Sequence, residues 1–132
     1  MAKGSPLLNQ FQHENETWKR VLEFLKDENI ILKNQLSGIL PNIAEADDGL
    51  MEKIEYFQNH FVKEDEIIRL LRIELSEQGK LLIREIYEDG NVLKEVKHTQ
   101  KKLRKEFEFA ELHFNKLKYE FNDYLAEILK DW

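Results

Sequence analysis

The sequence has no cysteine, and it holds only 2 prolines and 5 glycines among its 132 residues. Without cysteine the chain can form no disulfide, thiol nucleophile or thiolate metal site. Few helix-breaking residues, together with 35% charged and 42% hydrophobic residues, favour long helices over a sheet or a disordered chain. We therefore expect a single all-α domain over residues 1–132, in a reducing compartment.

Long apolar runs are also lacking. No segment approaches the roughly 18 uninterrupted apolar residues that a membrane span needs. Residues 1–5 carry one lysine and no apolar stretch with a cleavage site, which predicts no signal peptide and a cytoplasmic protein. The formal net charge of −6 argues mildly against nucleic acid as the main partner, and the whole acidic excess lies in residues 41–90.

What the sequence does have is heptad periodicity, clearest over residues 91–131. Steps of three and four alternate there without a break, as at the a and d positions of a helix that packs against partner helices. A helix with one apolar seam is not stable alone, because most helical stability in proteins comes from burying that seam. The seam consists of Leu93, Val96, Gln100, Leu103, Phe107, Ala110, Phe114, Leu117, Phe121, Tyr124 and Ile128.

Two further seams of the same spacing cover residues 11–39 and 50–85. Gly79 falls inside the second seam, but the spacing continues through it from residue 75 to residue 82. One helical glycine costs only about 1 kcal/mol relative to alanine. We therefore predict one long second helix, in which Gly79 can introduce a bend.

Local signals predict where the first helix begins and ends. Ser5 and Pro6 predict a helix start, with the serine as N-cap and the proline at the first helical position. Gly38 and Pro41 predict that this helix stops near residue 40, since proline cannot continue a helix.

The second connection is predicted at residues 89–91, Asp-Gly-Asn. Gly90 suits a left-handed residue after a helix, and Asn91 is the expected cap of the next helix. A connection this short makes the second and third helices antiparallel neighbours. The predicted fold is an antiparallel three-helix bundle of long helices with coiled-coil-like heptad packing, over about residues 5–40, 44–88 and 91–131.

Three segments resemble a bacterial family of small uncharacterised helical proteins. They are His-Glu-Asn-Glu-Thr-Trp at residues 13–18, Leu-Glu-Phe-Leu-Lys-Asp-Glu at 22–28 and Ile-Glu-Tyr-Phe-Gln-Asn-His-Phe at 54–61. The resemblance covers roughly the first half of the chain. The family has no assigned activity, so the resemblance implies a helical protein and carries no catalytic residue across.

Metal and enzyme chemistry find little support. A ferritin-like di-iron centre needs Glu-x-x-His on two helices, but the chain has only one such spacing, Glu95 to His98, on the solvent side of the third helix. His13, His60 and His113 also lie off the seams. The chain has no glycine-rich phosphate loop, nucleophile elbow or Ser/His/Asp set. We predict no catalytic residue, metal or cofactor, and a metal-binding oxidoreductase is the least favoured function.

A basic run lies at the start of the third helix: Lys94, Lys97, Lys101, Lys102, Arg104 and Lys105. The favoured interpretation is intramolecular pairing with the acidic end of the second helix, which holds Glu74, Glu77, Glu85, Glu88 and Asp89. The alternative is binding of nucleic acid or an anionic surface. A DNA-reading basic region projects free of its zipper, whereas this run lies on a packed seam.

Six polar residues fall at a or d positions: Asn15, Asn29, Glu64, Gln78, Glu85 and Gln100. The favoured interpretation is that they specify helix register at a cost in stability. The alternative is a polar pocket, in which a buried Glu64 would have a raised pKa unless it is paired. The ladder of Phe107, Phe114 and Phe121 is predicted to be core.

Apolar residues outside the seams are the most informative feature for function. Contiguous exposed apolar patches mark interaction sites, whereas scattered ones are normal. We predict a non-enzymatic scaffold or protein–protein interaction module that acts through exposed helix faces, with another helical protein or, most simply, a two-fold homodimer as partner. The alternative is a wider core or harmless exposure. The candidate residues, at b, c and f positions, are Phe24, Ile31, Ile73, Ile83, Phe109 and Leu112.

Overall fold

The computed structural model describes residues 5–43 and 48–130. They form three α-helices: α1 (Pro6–Ile43), α2 (Asp48–Tyr87) and α3 (Leu93–Leu129). No strand occurs in these two ranges. The prediction of an all-α three-helix bundle is therefore confirmed.

The first helix starts as predicted but ends later. Leu8 N–H donates to Ser5 Oγ at 3.4 Å, as expected for a serine N-cap ahead of Pro6. The predicted stop at Gly38 and Pro41 is wrong, because α1 continues through both residues to Ile43. A proline this close to the helix end removes only one backbone hydrogen bond, and the buried Ile39 favours keeping the last turns helical.

The second helix runs through Gly79 without interruption, as predicted. The connection that follows turns on two left-handed residues, Gly90 with φ of 68° and Asn91 with φ of 64°. Asparagine is among the few non-glycine residues that tolerate this conformation, and here it cannot also cap α3. The predicted capping role of Asn91 is therefore wrong.

A glutamate of α2 takes part in starting α3 instead. Val92 is the N-cap of α3 and has no side-chain capping bond of its own. Its N–H donates to Glu85 Oε1 at 3.0 Å, which is the bond that a glutamate makes to the N-cap residue in a capping box. Val92 is buried, while Leu93, predicted to lie on the seam, is 37% exposed. Val92, just before α3, therefore takes the buried position that the heptad spacing assigns to Leu93.

Contacts between the helices show their relative directions. Paired residues run in opposite directions along α1 and α2 and along α2 and α3, and in the same direction along α1 and α3. The pairs are Glu23 with Arg72 and Asn29 with Phe61, then Tyr56 with Glu120 and Gln78 with Gln100, and finally Glu14 with Arg104 and Glu28 with Lys118.

The interior holds two apolar clusters. The larger one runs from Leu22 to Ile39 on α1, from Ile54 to Leu75 on α2 and from Leu103 to Phe121 on α3. The predicted phenylalanine ladder lies in it, and Trp18 stacks on Phe107 with ring centroids 5.0 Å apart. The smaller cluster, at the other end of the bundle, consists of Leu8, Phe11, Leu82, Ile86, Val92 and Val96.

Candidate interaction surface

The six apolar residues predicted to form an interaction surface are all exposed, from 47% at Ile73 to 67% at Leu112. They do not share one face. Ile83 lines a groove between α1 and α2, Phe24 a groove between α1 and α3, and Phe109 a groove between α2 and α3. Positions b, c and f point away from the core on every helix, so on three helices they point in three directions.

Within residues 5–43 and 48–130, the three most exposed large apolar side chains all lie on α3. Phe109, Leu112 and Tyr119 of α3 are 66%, 67% and 73% exposed. They are spaced by three and seven residues and therefore lie on one face. Charged residues continue that face at steps of three and four in both directions. We call the set the outer stripe of α3: Lys101, Lys105, Phe109, Leu112, Lys116, Tyr119 and Asp123.

Apolar side chains also border the outer stripe on both sides. Between α2 and α3 a groove of about 340 Å³ brings Ile67 and Leu70 next to Phe109. Between α1 and α3 a second groove, of about 290 Å³, is lined by Val21 and Phe24. The outer stripe therefore lies at the centre of a wider apolar surface, to which Phe109, Leu112 and Phe24 of the predicted set belong.

The basic run does not pair as predicted. Arg104 reaches α1, where Nη2 and Nε lie 2.7 Å and 2.8 Å from the carboxylate oxygens of Glu14. This guanidinium holds the pKa of Glu14 below its usual range. Lys102 lies 3.6 Å from Glu106 of its own helix. In the described ranges, Lys94, Lys97, Lys101 and Lys105 form no ion pair.

Three acidic residues at or just beyond the end of α2 have other partners. Glu77 pairs with Lys80 at 3.4 Å, Asp89 with Arg84 at 3.4 Å, and Glu85 accepts the N–H of Val92. The expected matching of the basic run with these residues is thus wrong for the part of the chain that the structure describes. The reason is rotational, since the lysines project outward from α3 while Arg104 projects toward α1.

A layer of three amides crosses the interior, one from each helix. Gln78 Nε2 donates to Gln100 Oε1 at 2.9 Å, and Gln100 Nε2 donates to Asn15 Oδ1 at 3.0 Å. All three side chains are at most 5% exposed. Because Gln100 bonds the other two amides only when all three helices are at matching height, the geometry agrees with a role in helix register rather than with an open polar pocket.

A buried acid–imidazole pair connects α2 to α3. Glu64 is 1% exposed, and its Oε1 lies 2.6 Å from Nδ1 of the half-buried His113. Burial raises the pKa of Glu64, while the bond to His113 opposes that shift. The sequence signal for this pairing was the g position of His113. A g residue lies next to the seam of its own helix and can therefore reach a seam residue of a neighbouring helix.

The residues considered for a metal site do not form one in the described ranges. Glu95 and His98, the one Glu-x-x-His spacing, are both exposed. Within residues 5–43 and 48–130, no group of three or more histidine, aspartate or glutamate side chains could hold a metal ion. In the same residues, no helix has the length and apolar character required to cross a membrane.

No protein-family model, curated protein or solved structure matches the chain. The resemblance of its first half to a bacterial helical family therefore stays a prediction.

Proposed function

We propose that the protein is a non-enzymatic, cytoplasmic helical scaffold that binds a helical partner through the outer stripe of α3. The observation that carries this proposal is the exposure of Phe109, Leu112 and Tyr119, each at least 66% exposed on one helix face. Fully burying one large apolar side chain contributes about 1.5–3 kcal/mol, so three together can support association. Aromatic side chains are also enriched where interfaces bury their core.

The flanking charges define the kind of partner. Lys101, Lys105 and Lys116 border the apolar residues and form no ion pair in the described part of the chain. A partner helix with an apolar seam and acidic flanks would bury the apolar residues and pair with these lysines. Such rim charges contribute more to the association rate and to partner choice than to affinity.

Site-specific photocrosslinking tests the proposal. Leu112 is replaced by p-benzoyl-phenylalanine in one variant and the exposed Lys26 of α1 in a control variant, and each is irradiated in cells. We expect covalent adducts at position 112, their loss when Phe109→Ser and Tyr119→Ser are added, and none at position 26. Absence of adducts at position 112 would show that no partner covers the outer stripe.

A second candidate function is binding of nucleic acid or an anionic surface through the basic run. It is favoured by Lys94, Lys97, Lys101 and Lys105, which have no ion-pair partner among the described residues. Duplex DNA and phosphatidylserine vesicles are the probes. With four phosphate contacts, log K should fall with log salt at a slope of about −3 to −4 for DNA. Binding that salt does not weaken would exclude this candidate.

A further inference from the structure

We propose that a second copy of the chain occupies the outer stripe, packed antiparallel along α3 about a two-fold axis. This inference rests on the proposed function and names its partner. The first argument is the charge distribution along α3. Residues 93–105 hold six basic residues and one acidic residue, while residues 119–129 hold three acidic residues and no basic one.

That distribution selects the direction of packing. Two copies of α3 in parallel would place the basic half on the basic half. An antiparallel pair places the basic half of each copy on the acidic half of the other, which attracts at both ends. A two-fold axis generates this arrangement from one self-complementary patch.

The spacing of the outer stripe also selects a register. In an antiparallel pair of identical helices, the sequence numbers of two facing residues add up to the same total for every pair. If Lys105 faces Asp123 of the second copy, then Phe109 faces Tyr119 and Leu112 faces Lys116, whose aliphatic stem can cover it. Each contact occurs twice, and the same register places Lys101 near Glu127.

The charged groups in this register are available for pairing. Lys101, Lys105, Asp123 and Glu127 are exposed and form no ion pair within the described residues. The rings of Phe109 and Tyr119 can adopt the offset or edge-to-face contacts that aromatic pairs prefer. Every facing pair is therefore complementary in charge or in apolar character.

The size of the contact predicts its strength. Residues 101–127 of α3 extend over about 40 Å, and a helix about 10–12 Å wide presents about 400–500 Å² to a partner over that length. A standard stable interface buries about 800 Å² per partner. Even with the bordering grooves, we therefore expect a monomer–dimer equilibrium that depends on protein concentration.

The test is a charge-exchange cycle followed by sedimentation velocity on the full chain over a range of concentrations. In either single variant, Lys105→Glu or Asp123→Lys, positions 105 and 123 carry charges of the same sign. Because these positions face each other at two places in the dimer, the repulsion occurs twice. We expect each single variant to raise the dimer Kd at least tenfold and the double variant to restore it to within about threefold. Lys26→Glu, with the same charge change on α1, should leave the Kd unchanged, and circular dichroism checks that all variants stay helical.

The outcomes separate this inference from the proposed function. A wild-type chain that stays monomeric, a double variant that stays dissociated, or equal dissociation by Lys26→Glu overturns the second-copy inference. If the photocrosslinker at position 112 then still joins the chain to a different protein, the proposed function stands with another partner. Absence of any adduct overturns both.

Discussion

Two layers of the interior differ in chemistry. In one, the rings of Phe57 and Phe61 each meet Phe121 with centroids 5.1 Å apart, and all three side chains are at most 1% exposed. In the other, amides of α1, α2 and α3 bond to one another through Gln100. The aromatic layer contributes the larger burial of apolar area, while the amide layer accepts only one alignment of the helices. Stability and register are therefore supplied by different parts of the bundle.

The amide layer is not fully hydrogen-bonded among the described residues. Asn15 Nδ2 and Gln78 Oε1 are buried and have no hydrogen-bond partner in the part of the chain that the structure describes, so the layer stabilises less than a fully bonded one would. It separates the larger apolar cluster from the smaller one, which contains Phe11 and Val96. Four predictions test the contrast between the layers, beginning with the largest expected effect.

Removing a ring from the aromatic layer should be the most damaging change. Phe121→Ala leaves a cavity against Phe57 and Phe61, and we expect a loss of about 3–5 kcal/mol in the free energy of unfolding, measured by urea denaturation. Tyr119→Ala, on the exposed side of the same helix, should change it by no more than about 0.5 kcal/mol. Similar losses at both positions would contradict the assignment of inner and outer faces.

Breaking the amide layer should cost less. Gln100→Ala leaves Asn15 Oδ1 and Gln78 Nε2 without their mutual partner, and we expect a loss of about 1–3 kcal/mol in the same assay. Replacing all three amides by leucine should instead raise stability and broaden the amide NMR spectrum, because several registers become accessible. A sharp, single-state spectrum for that triple variant would remove the register role.

The start of α3 supports the smaller cluster and should be less sensitive. Glu85→Ala removes the acceptor of the Val92 N–H, for which we expect a loss of about 1 kcal/mol. Glu55→Ala is the matched control, since Glu55 is an exposed glutamate inside α2, like Glu85 a helical residue. If both variants lose the same stability, helix propensity rather than the bond to Val92 is responsible.

The smallest effect is expected between the two layers, at Glu106. Its pKa is raised, first by burial and then by the neighbouring Glu74. A carboxyl with a raised native pKa stabilises the fold below its unfolded pKa, and that contribution is lost as pH rises through the native pKa. Glu106→Gln should therefore gain up to about 1 kcal/mol at pH 7 and almost nothing at pH 4.

Urea denaturation at the two pH values measures this difference, with the exposed Glu108→Gln as control. A gain for Glu106→Gln that is equal at both pH values would mean that repacking, rather than removal of a charge, stabilises the variant. Glu64 follows the same sign, because burial also raises its pKa.

Much of the fold could be predicted from periodicity alone. Spacings of three and four residues place apolar groups on one side of a helix, whatever the neighbouring helices do, so buried residues such as Leu22, Phe57 and Phe114 follow from the sequence. The same argument identified Phe109 and Leu112 as exposed. Tyr119 and Lys116 extend that face at the same spacing and were not included in the predicted surface.

The pairing of helices could not be predicted in this way. Periodicity within one helix specifies neither its rotation relative to a neighbour nor its axial position, and a small change in either exchanges one charged partner for another. Only the tertiary structure could therefore decide that Glu64 bonds His113, that Arg104 binds Glu14 rather than the acidic end of α2, and that Ile67 and Leu70 of α2 lie beside Phe109 of α3. The sequence by itself determined which residues are inside; the packing of the three helices decided which surface residues can act together.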